Sequence, residues 1–122
     1  MVNSIVIICE DSPFGKNSAL ETIRMAAGLL AIGDIAECKV VFMKDAIYLL
    51  SKNLNPQALN MDPFTTIMRL IELSGLEIYI HDKALKRAGM SDSDLIPIEN
   101  ITIISTEKIS QLILEGDICI KY

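Results

Sequence analysis

Apolar residues fall into short runs that alternate with amphipathic stretches along the whole chain. The first run, Ser4–Cys9, is continuously apolar from Ile5 to Ile8, which is typical of a strand buried on both faces of a sheet. From Ser18 onwards, apolar positions recur at helical spacing behind a Ser18-x-x-Glu21 capping box. Four more strands are predicted at residues 38–43, 77–81, 101–105 and 117–121, and further helices at residues 44–51, 62–74, 82–88 and 106–115.

Glycine stands where four of the predicted helices should end, at positions 33, 75, 89 and 116. Strands that alternate regularly with helices indicate parallel strands joined by right-handed crossovers. The sequence therefore predicts an α/β fold, a three-layer α/β/α sandwich with a five-stranded, mostly parallel sheet. We expect residues 1–122 to form a single domain, because no long linker, repeat or low-complexity tract interrupts the pattern.

Composition narrows the classes of function. The 122 residues are 51% hydrophobic and carry a net charge of −5, with eleven scattered Lys and Arg residues and few aromatic ones, so nucleic acid is not an expected partner. The apolar stretch Ile23–Ile32 is broken by Arg24, so no membrane span is expected. Met1–Ser4 lacks the basic region of a secretory signal, and we expect a cytoplasmic protein.

The only histidine, His81, ends the third predicted strand. Ligands bind at the carboxyl ends of parallel strands, and histidine is the residue type whose charge ordinarily changes near neutral pH. His81 is thus a candidate general base or hydrogen-bond donor to an anion, and the alternative is a polar residue that is simply hydrogen-bonded at a strand end. No metal site is expected, because the chain has no second histidine and no cysteine near His81 in sequence.

Three cysteines without a CxxC spacing indicate free thiols in a reducing compartment. Cys9 ends the first predicted strand and would face His81 if the two strands lay close together. A Cys–His pair makes a nucleophile, so Cys9 and His81 are the candidate catalytic residues. The alternative for Cys9 is an inert buried thiol, and Cys119, inside an apolar strand, is also expected in the core.

The loop Ser12–Ser18 precedes a helix, where free N–H groups favour an anion. Lys16, Asn17 and Ser18 would bind the anion there, and Asp11 and Asp45, each next to a predicted strand end, would complete a ligand pocket. The alternative is a tight turn, because the loop matches neither the P-loop nor the dinucleotide fingerprint. No cofactor is expected.

Residues 53–64 carry apolar side chains among polar ones. Exposed apolar groups on a loop indicate a surface for a partner, and the alternative is a loop folded over its own core. We expect this segment to support oligomerisation.

Three segments together resemble the DsrE/DsrF-like family, and its DsrF/TusC branch in particular. Residues 12–21 resemble a Pro-aromatic-Gly-x-x-Ser-Ala stretch, residues 41–50 a strand that enters a helix through Asp-Ala, and residues 78–89 a strand followed by a short helix that ends at Gly. The resemblance covers nearly the whole chain. It implies the predicted fold and a trimer or hexamer, built from this chain alone or together with other subunits of the family.

Members of that family carry sulfane sulfur as a persulfide on a cysteine at the end of the third strand. The resemblance puts His81 at that position, and imidazole cannot store sulfur as a thiolate does. We therefore expect an accessory or structural subunit in intracellular sulfur transfer. The alternative is a small-molecule-binding or hydrolytic domain that uses the pocket at the strand ends.

Overall fold

The computed structural model describes residues 3–12, 18–31, 36–51, 69, 71–96 and 99–122. The elements are, in chain order, β1 (Ser4–Cys9), α1 (Ser18–Ala31), β2 (Glu37–Phe42), a 3₁₀ helix (Lys44–Leu50), β3 (Glu77–His81), α2 (Asp82–Arg87), a 3₁₀ helix (Asp92–Asp94), β4 (Ile101–Ile104), α3 (Thr106–Glu115) and β5 (Ile118–Lys121). Residues 71–74, before β3, are also helical. The predicted order of strands and helices is confirmed along the described residues.

The five strands form one sheet in the order β4-β3-β2-β1-β5, and all four pairings are parallel. The predicted α/β architecture is thereby confirmed. The chain steps in one direction from β1 to β4 and then returns to the far edge beside β1. Right-handed crossovers therefore place α3 on the face of the sheet opposite to α1 and α2.

The larger core lies on the face covered by α1, α2 and the helix Lys44–Leu50, which we call the α1 face. Alternate strand residues point to it, and helical side chains close it from above. Its fully buried members include Ile7, Cys9, Ile23, Val40, Phe42, Leu49, Ile78 and Ile80. At the carboxyl ends of the strands, Cys9 pairs in register with Phe42 and Phe42 with Ile80.

The opposite face, called the α3 face, carries a smaller core. Val6 and Val41 pack there with Ile104 and with Ile109 and Leu112 of α3. Among the described residues, this one helix of ten residues is the only helical cover of that face. Its first turn is capped by Ser105, whose side chain accepts a hydrogen bond from the Lys108 N–H at 3.2 Å.

Two of the predicted helix-ending glycines have the left-handed backbone that favours glycine: φ is +68° at Gly75 and +71° at Gly89. Gly116 follows α3 with an ordinary φ of −73°. A Cβ atom there would lie 2.9 Å from Val6 Cγ2, so a larger residue would force the Val6 side chain or the chain itself to shift. Gly33 lies outside the described residues.

The second predicted helix, at residues 44–51, is a 3₁₀ helix over Lys44–Leu50. Its first residue, Lys44, has a φ of +50°, which is unusual for a residue with a side chain. The short 3₁₀ helix Asp92–Asp94 was not predicted; Ser91 and Asp94 cap it reciprocally. Of the helix predicted at residues 62–74, residues 71–74 are confirmed as helical, and most of the remainder lies outside the described residues.

Candidate functional site

His81 is held rigidly at the carboxyl end of β3. It follows Ile80, which points to the α1 face, so His81 points to the α3 face, in register with Ile104. The residue is only 8% exposed. Its Nε2 atom and Thr106 Oγ1 are hydrogen-bonded at 2.8 Å, and Asp82 Oδ1 lies 3.8 Å from the same nitrogen. The first residue of α3 thus fixes the ring at the rim of the sheet.

Cys9 lies on the other face of the sheet from His81, inside an apolar core. Its side chain belongs to the α1-face core and is fully buried. Burial raises the pKa of the thiol, and hydrogen bonds with the Thr22 side chain and the Asp11 backbone offset this rise only in part. A buried thiol with a raised pKa stays protonated and is a poor nucleophile.

The structure does not bring Cys9 and His81 together. The strand β2 lies between β1 and β3. Cys9 shares a row with Phe42 and Ile80, and His81 is one residue further along the chain than Ile80. Because side chains alternate between faces, that single step places the two residues on opposite sides of the sheet. The described geometry therefore contains no Cys–His nucleophile.

The other predicted ligand residues are described only in part. Asp11 is half-buried just beyond β1, and Asp45 is exposed in the first turn of the helix Lys44–Leu50. Asp45 lines a small cavity of about 40 Å³ together with Tyr48 and Arg87. Lys16 and Asn17 lie outside the described residues. Ser18 is the first residue of α1, and only its backbone is described.

A cluster at the same edge was missed by the sequence analysis. Glu10 lies just after β1 and forms two ion pairs. One carboxylate oxygen lies 2.6 Å from Lys44 Nζ, and the other lies 2.7 Å from Lys121 Nζ. The two lysines hold the pKa of the Glu10 carboxyl below its ordinary value, Lys121 most strongly. Each of the three charges stands at the carboxyl end of an apolar strand, which is the sequence signal. Their meeting depends on the strand order, which the sequence leaves open.

The remaining thiols divide between interior and surface. Cys38 is 2% exposed, and burial raises its pKa to about 11. Cys119 is exposed, so the expectation that it lies in the core was wrong. The reason is the strand order: β5 is an edge strand, and Cys119 pairs with Val6 on the α3 face, beyond the cover that α3 provides.

Other features of the described residues add no chemistry near His81. No three His, Cys, Asp or Glu side chains among them lie close enough to hold a metal ion. None of the helices they form is long and apolar enough to cross a bilayer. A groove of about 630 Å³ lies along β4 and is lined by Leu95, Ile96 and Ile103 together with Asp92 and Glu99; none of the predicted site residues that the structure describes lines it.

Comparison with known proteins decides the family. The model of the DsrE/DsrF-like family matches residues 3–122. The chain belongs to the DsrE/DsrF-like family. The resemblance inferred from the three sequence segments is thereby confirmed at the level of the family.

Solved structures show the same fold. The YchN protein from E. coli has a TM-score of 0.80 and 17% sequence identity, over 98% of this chain and 99% of that one. MTH1491 from Methanobacterium thermoautotrophicum, a protein of unknown function, has a TM-score of 0.72 and 18% identity over the full length of both chains. No curated protein matches the chain significantly. The chain therefore shares the fold of both structures.

Proposed function

We propose that this chain is an accessory or structural subunit of intracellular sulfur transfer, of the DsrF/TusC type, and that it does not carry the sulfur itself. Membership of the DsrE/DsrF-like family supports the link to sulfur relay. The identity of the residue that ends β3 supports the accessory role.

The observation that carries the proposal is His81. A sulfur carrier needs a thiolate that attacks the donor, holds the sulfur and then releases it to the next thiolate. At the end of β3 this chain presents an imidazole that is 8% exposed and hydrogen-bonded to Thr106 at 2.8 Å. This group can orient a neighbouring surface or donate a hydrogen bond, but it has no sulfur to form a persulfide.

The three cysteines do not replace the missing thiol. Cys9 lies at the same carboxyl edge of the sheet as His81, but its side chain is fully buried on the α1 face and its pKa is raised. Cys38 is buried near the amino end of β2 with a pKa of about 11. Cys119 is exposed, but it lies on the outermost strand, separated from β3 by β1 and β2. None of the thiols combines access with a site beside His81.

Persulfide loading tests the proposal. The Cys119→Ser protein, which lacks the exposed thiol, is incubated with a low-molecular-weight persulfide donor, freed of donor and analysed by intact-mass and peptide mass spectrometry. We expect no added sulfur under conditions that load a cysteine-bearing member of the family in parallel. Sulfur on Cys9 that disappears in the Cys9→Ser variant would contradict the accessory role.

Association provides the second test. The accessory role requires a complex with a sulfur-carrying subunit, so the tagged chain should copurify with a family member that has cysteine at the end of its third strand. A chain that neither takes up sulfur nor binds such a subunit would leave the proposed role without support. The alternative of a hydrolytic domain finds no Cys9–His81 nucleophile in the described geometry, because the two residues lie on opposite faces.

A further inference from the structure

The groove along β4 has the size of a ligand site. Its volume is about 630 Å³, and pockets that hold small molecules in proteins commonly measure about 300–1,000 Å³. Residues of β4 form one wall, and residues between positions 92 and 96 form the other. β4 ends the sheet, and among the described residues only β3 pairs with it, so no described strand covers the outer side of the groove.

The walls of the groove are apolar, and one of them is held by backbone bonds. Leu95 and Ile96 are 7% and 6% exposed and belong to the core of the α1 face. The Ile96 N–H donates to the Leu50 carbonyl at 2.8 Å, and Leu95 forms a β-bridge with Ser51. Ile103, on the β4 wall, is 38% exposed and offers apolar surface that a ligand can bury.

The charges at the groove are all negative in the part of the chain that the structure describes. Asp92 and Glu99 line it, both are exposed, and no described Lys or Arg residue lines it. Neither carboxylate forms an ion pair with another described residue. A cation bound here gains two carboxylates that the described chain does not neutralise, whereas an anion is repelled by both.

The main chain of β4 adds hydrogen-bond acceptors. The Asn100 carbonyl accepts a hydrogen bond from the Ile78 N–H at 3.0 Å, so this carbonyl faces β3. Because successive residues of a strand point their main-chain groups to opposite sides, the C=O groups of Ile101 and Ile103 face the outer edge, beside the groove. An ammonium group has three N–H donors and no acceptor, so it matches carbonyl and carboxylate oxygens.

The same features disfavour other occupants. A second copy of this chain brings a further net charge of −5 to a site that already holds two carboxylates. A neutral apolar molecule would remove water from the carboxylates without replacing the lost hydrogen bonds. An aliphatic chain that ends in an ammonium group suits both the apolar walls and the acidic groups.

We propose that the groove along β4 binds a small aliphatic amine. Its methylene chain lies against Leu95 and Ile103, and its ammonium group lies at Asp92 and Glu99. Neither His81 nor any cysteine lines this site. The inference therefore stands or falls independently of the proposed role in sulfur transfer.

Methyl NMR with hexylamine tests the site. The chain is labelled with ¹³C at the isoleucine δ1 methyl groups, and hexylamine should cause saturable shifts at Ile96 and Ile103. Ile118, at the opposite edge of the sheet, is the matched control, because it is 39% exposed and does not line the groove. Butylamine, with two methylenes fewer, should bind roughly tenfold more weakly. Hexanoate, which has the same chain length and a negative charge, should cause no shift at Ile103.

Charge variants test the role of the two carboxylates. Asp92→Asn combined with Glu99→Gln should weaken hexylamine binding roughly fivefold or more. Glu107→Gln removes an exposed carboxylate of α3 outside the groove and should keep the wild-type affinity. The ligand-free methyl spectra of both proteins must match the wild type away from the substituted positions.

Four results would overturn the proposal. They are the absence of a saturable shift at Ile103 at millimolar hexylamine, equal shifts at Ile103 and Ile118, equal binding of hexanoate, and an unchanged affinity of the doubly substituted protein.

Discussion

At the scale of residues, one step in strand register separates the two side chains that the sequence suggested as a pair. Cys9 and Ile80 share a row of the sheet, and His81 follows Ile80. The residue types and their position at the carboxyl edge were predictable from apolar runs that end in polar groups. The face of the sheet to which each side chain points, relative to the other, was not predictable. It depends on which strands are neighbours and on their register, and periodicity within one strand reports neither.

The different environments of the three thiols give the first prediction. Cys9 and Cys38 are almost completely buried and have raised pKa values, so only Cys119 should react with an alkylating reagent at mildly alkaline pH. Intact-mass spectrometry of the native wild-type chain should show one adduct, and of the Cys119→Ser variant none. All thiols should react after unfolding. Rapid labelling of native Cys9 would contradict the buried position described for it.

The ion pairs of Glu10 give the second prediction. The folded-state pKa of Glu10 lies below its ordinary value of 4.5, so its contribution to stability is present above pH 4.5 and is lost as the pH falls through the folded-state pKa. Glu10→Gln should therefore lower the unfolding midpoint at neutral pH, and the difference from wild type should disappear in acid. Urea unfolding at a series of pH values measures this effect.

The matched control for Glu10 is Glu21→Gln. Glu21 contacts one cation among the described residues, Arg24 on the same helix at 2.8 Å, and both side chains are about 40% exposed. A pair of this kind stabilises a helix by roughly 0.2–0.5 kcal/mol, so this variant should change the midpoint less. A larger effect of Glu21→Gln at neutral pH would contradict the importance assigned to the cluster of Glu10 with its two lysines.

At the scale of elements, strands with continuous apolar runs and helices with clear end signals were predicted closely. The bounds of β1 and β3 agree with the prediction, because both end at a polar or sulfur-bearing residue after buried aliphatic ones. The final helix also agrees, because Ser105 caps it and Gly116 follows it. The short 3₁₀ helix Asp92–Asp94 was missed, because three polar residues carry no hydrophobic periodicity.

The thin cover of the α3 face gives the third prediction. Leu112 of α3 is 3% exposed against the sheet, whereas Leu114 of the same helix is 85% exposed. Leu112→Ala should lower the free energy of unfolding by about 2–4 kcal/mol through lost burial and a residual cavity. Leu114→Ala should change it by less than about 0.5 kcal/mol. Urea unfolding compares the two variants, and equal effects would contradict the assignment of α3 to this face.

At the scale of the whole molecule, the alternation of strands and helices was enough to predict a parallel sheet between two helical layers. The strand order was not predictable, and the position of Cys119 depended on it. Cys119 was expected in the core because its neighbours are isoleucines, but the return of β5 to the outer edge exposes it. The apolar segment 53–64, expected to support oligomerisation, lies outside the described residues and remains a prediction.

The central claim is that the residue ending β3 occupies the sulfur-bearing position of the family and that imidazole there abolishes the carrier function. The most direct test is persulfide loading of His81→Cys in the Cys119→Ser background, compared with Cys119→Ser alone by intact mass. The smaller cysteine side chain leaves space for a donor beside Thr106. As a control, both proteins must first show the same cooperative unfolding. The account predicts one added sulfur on the introduced thiol and none on the parent protein. A folded His81→Cys variant that takes up no sulfur, or a parent protein that takes it up on Cys9, would contradict the claim.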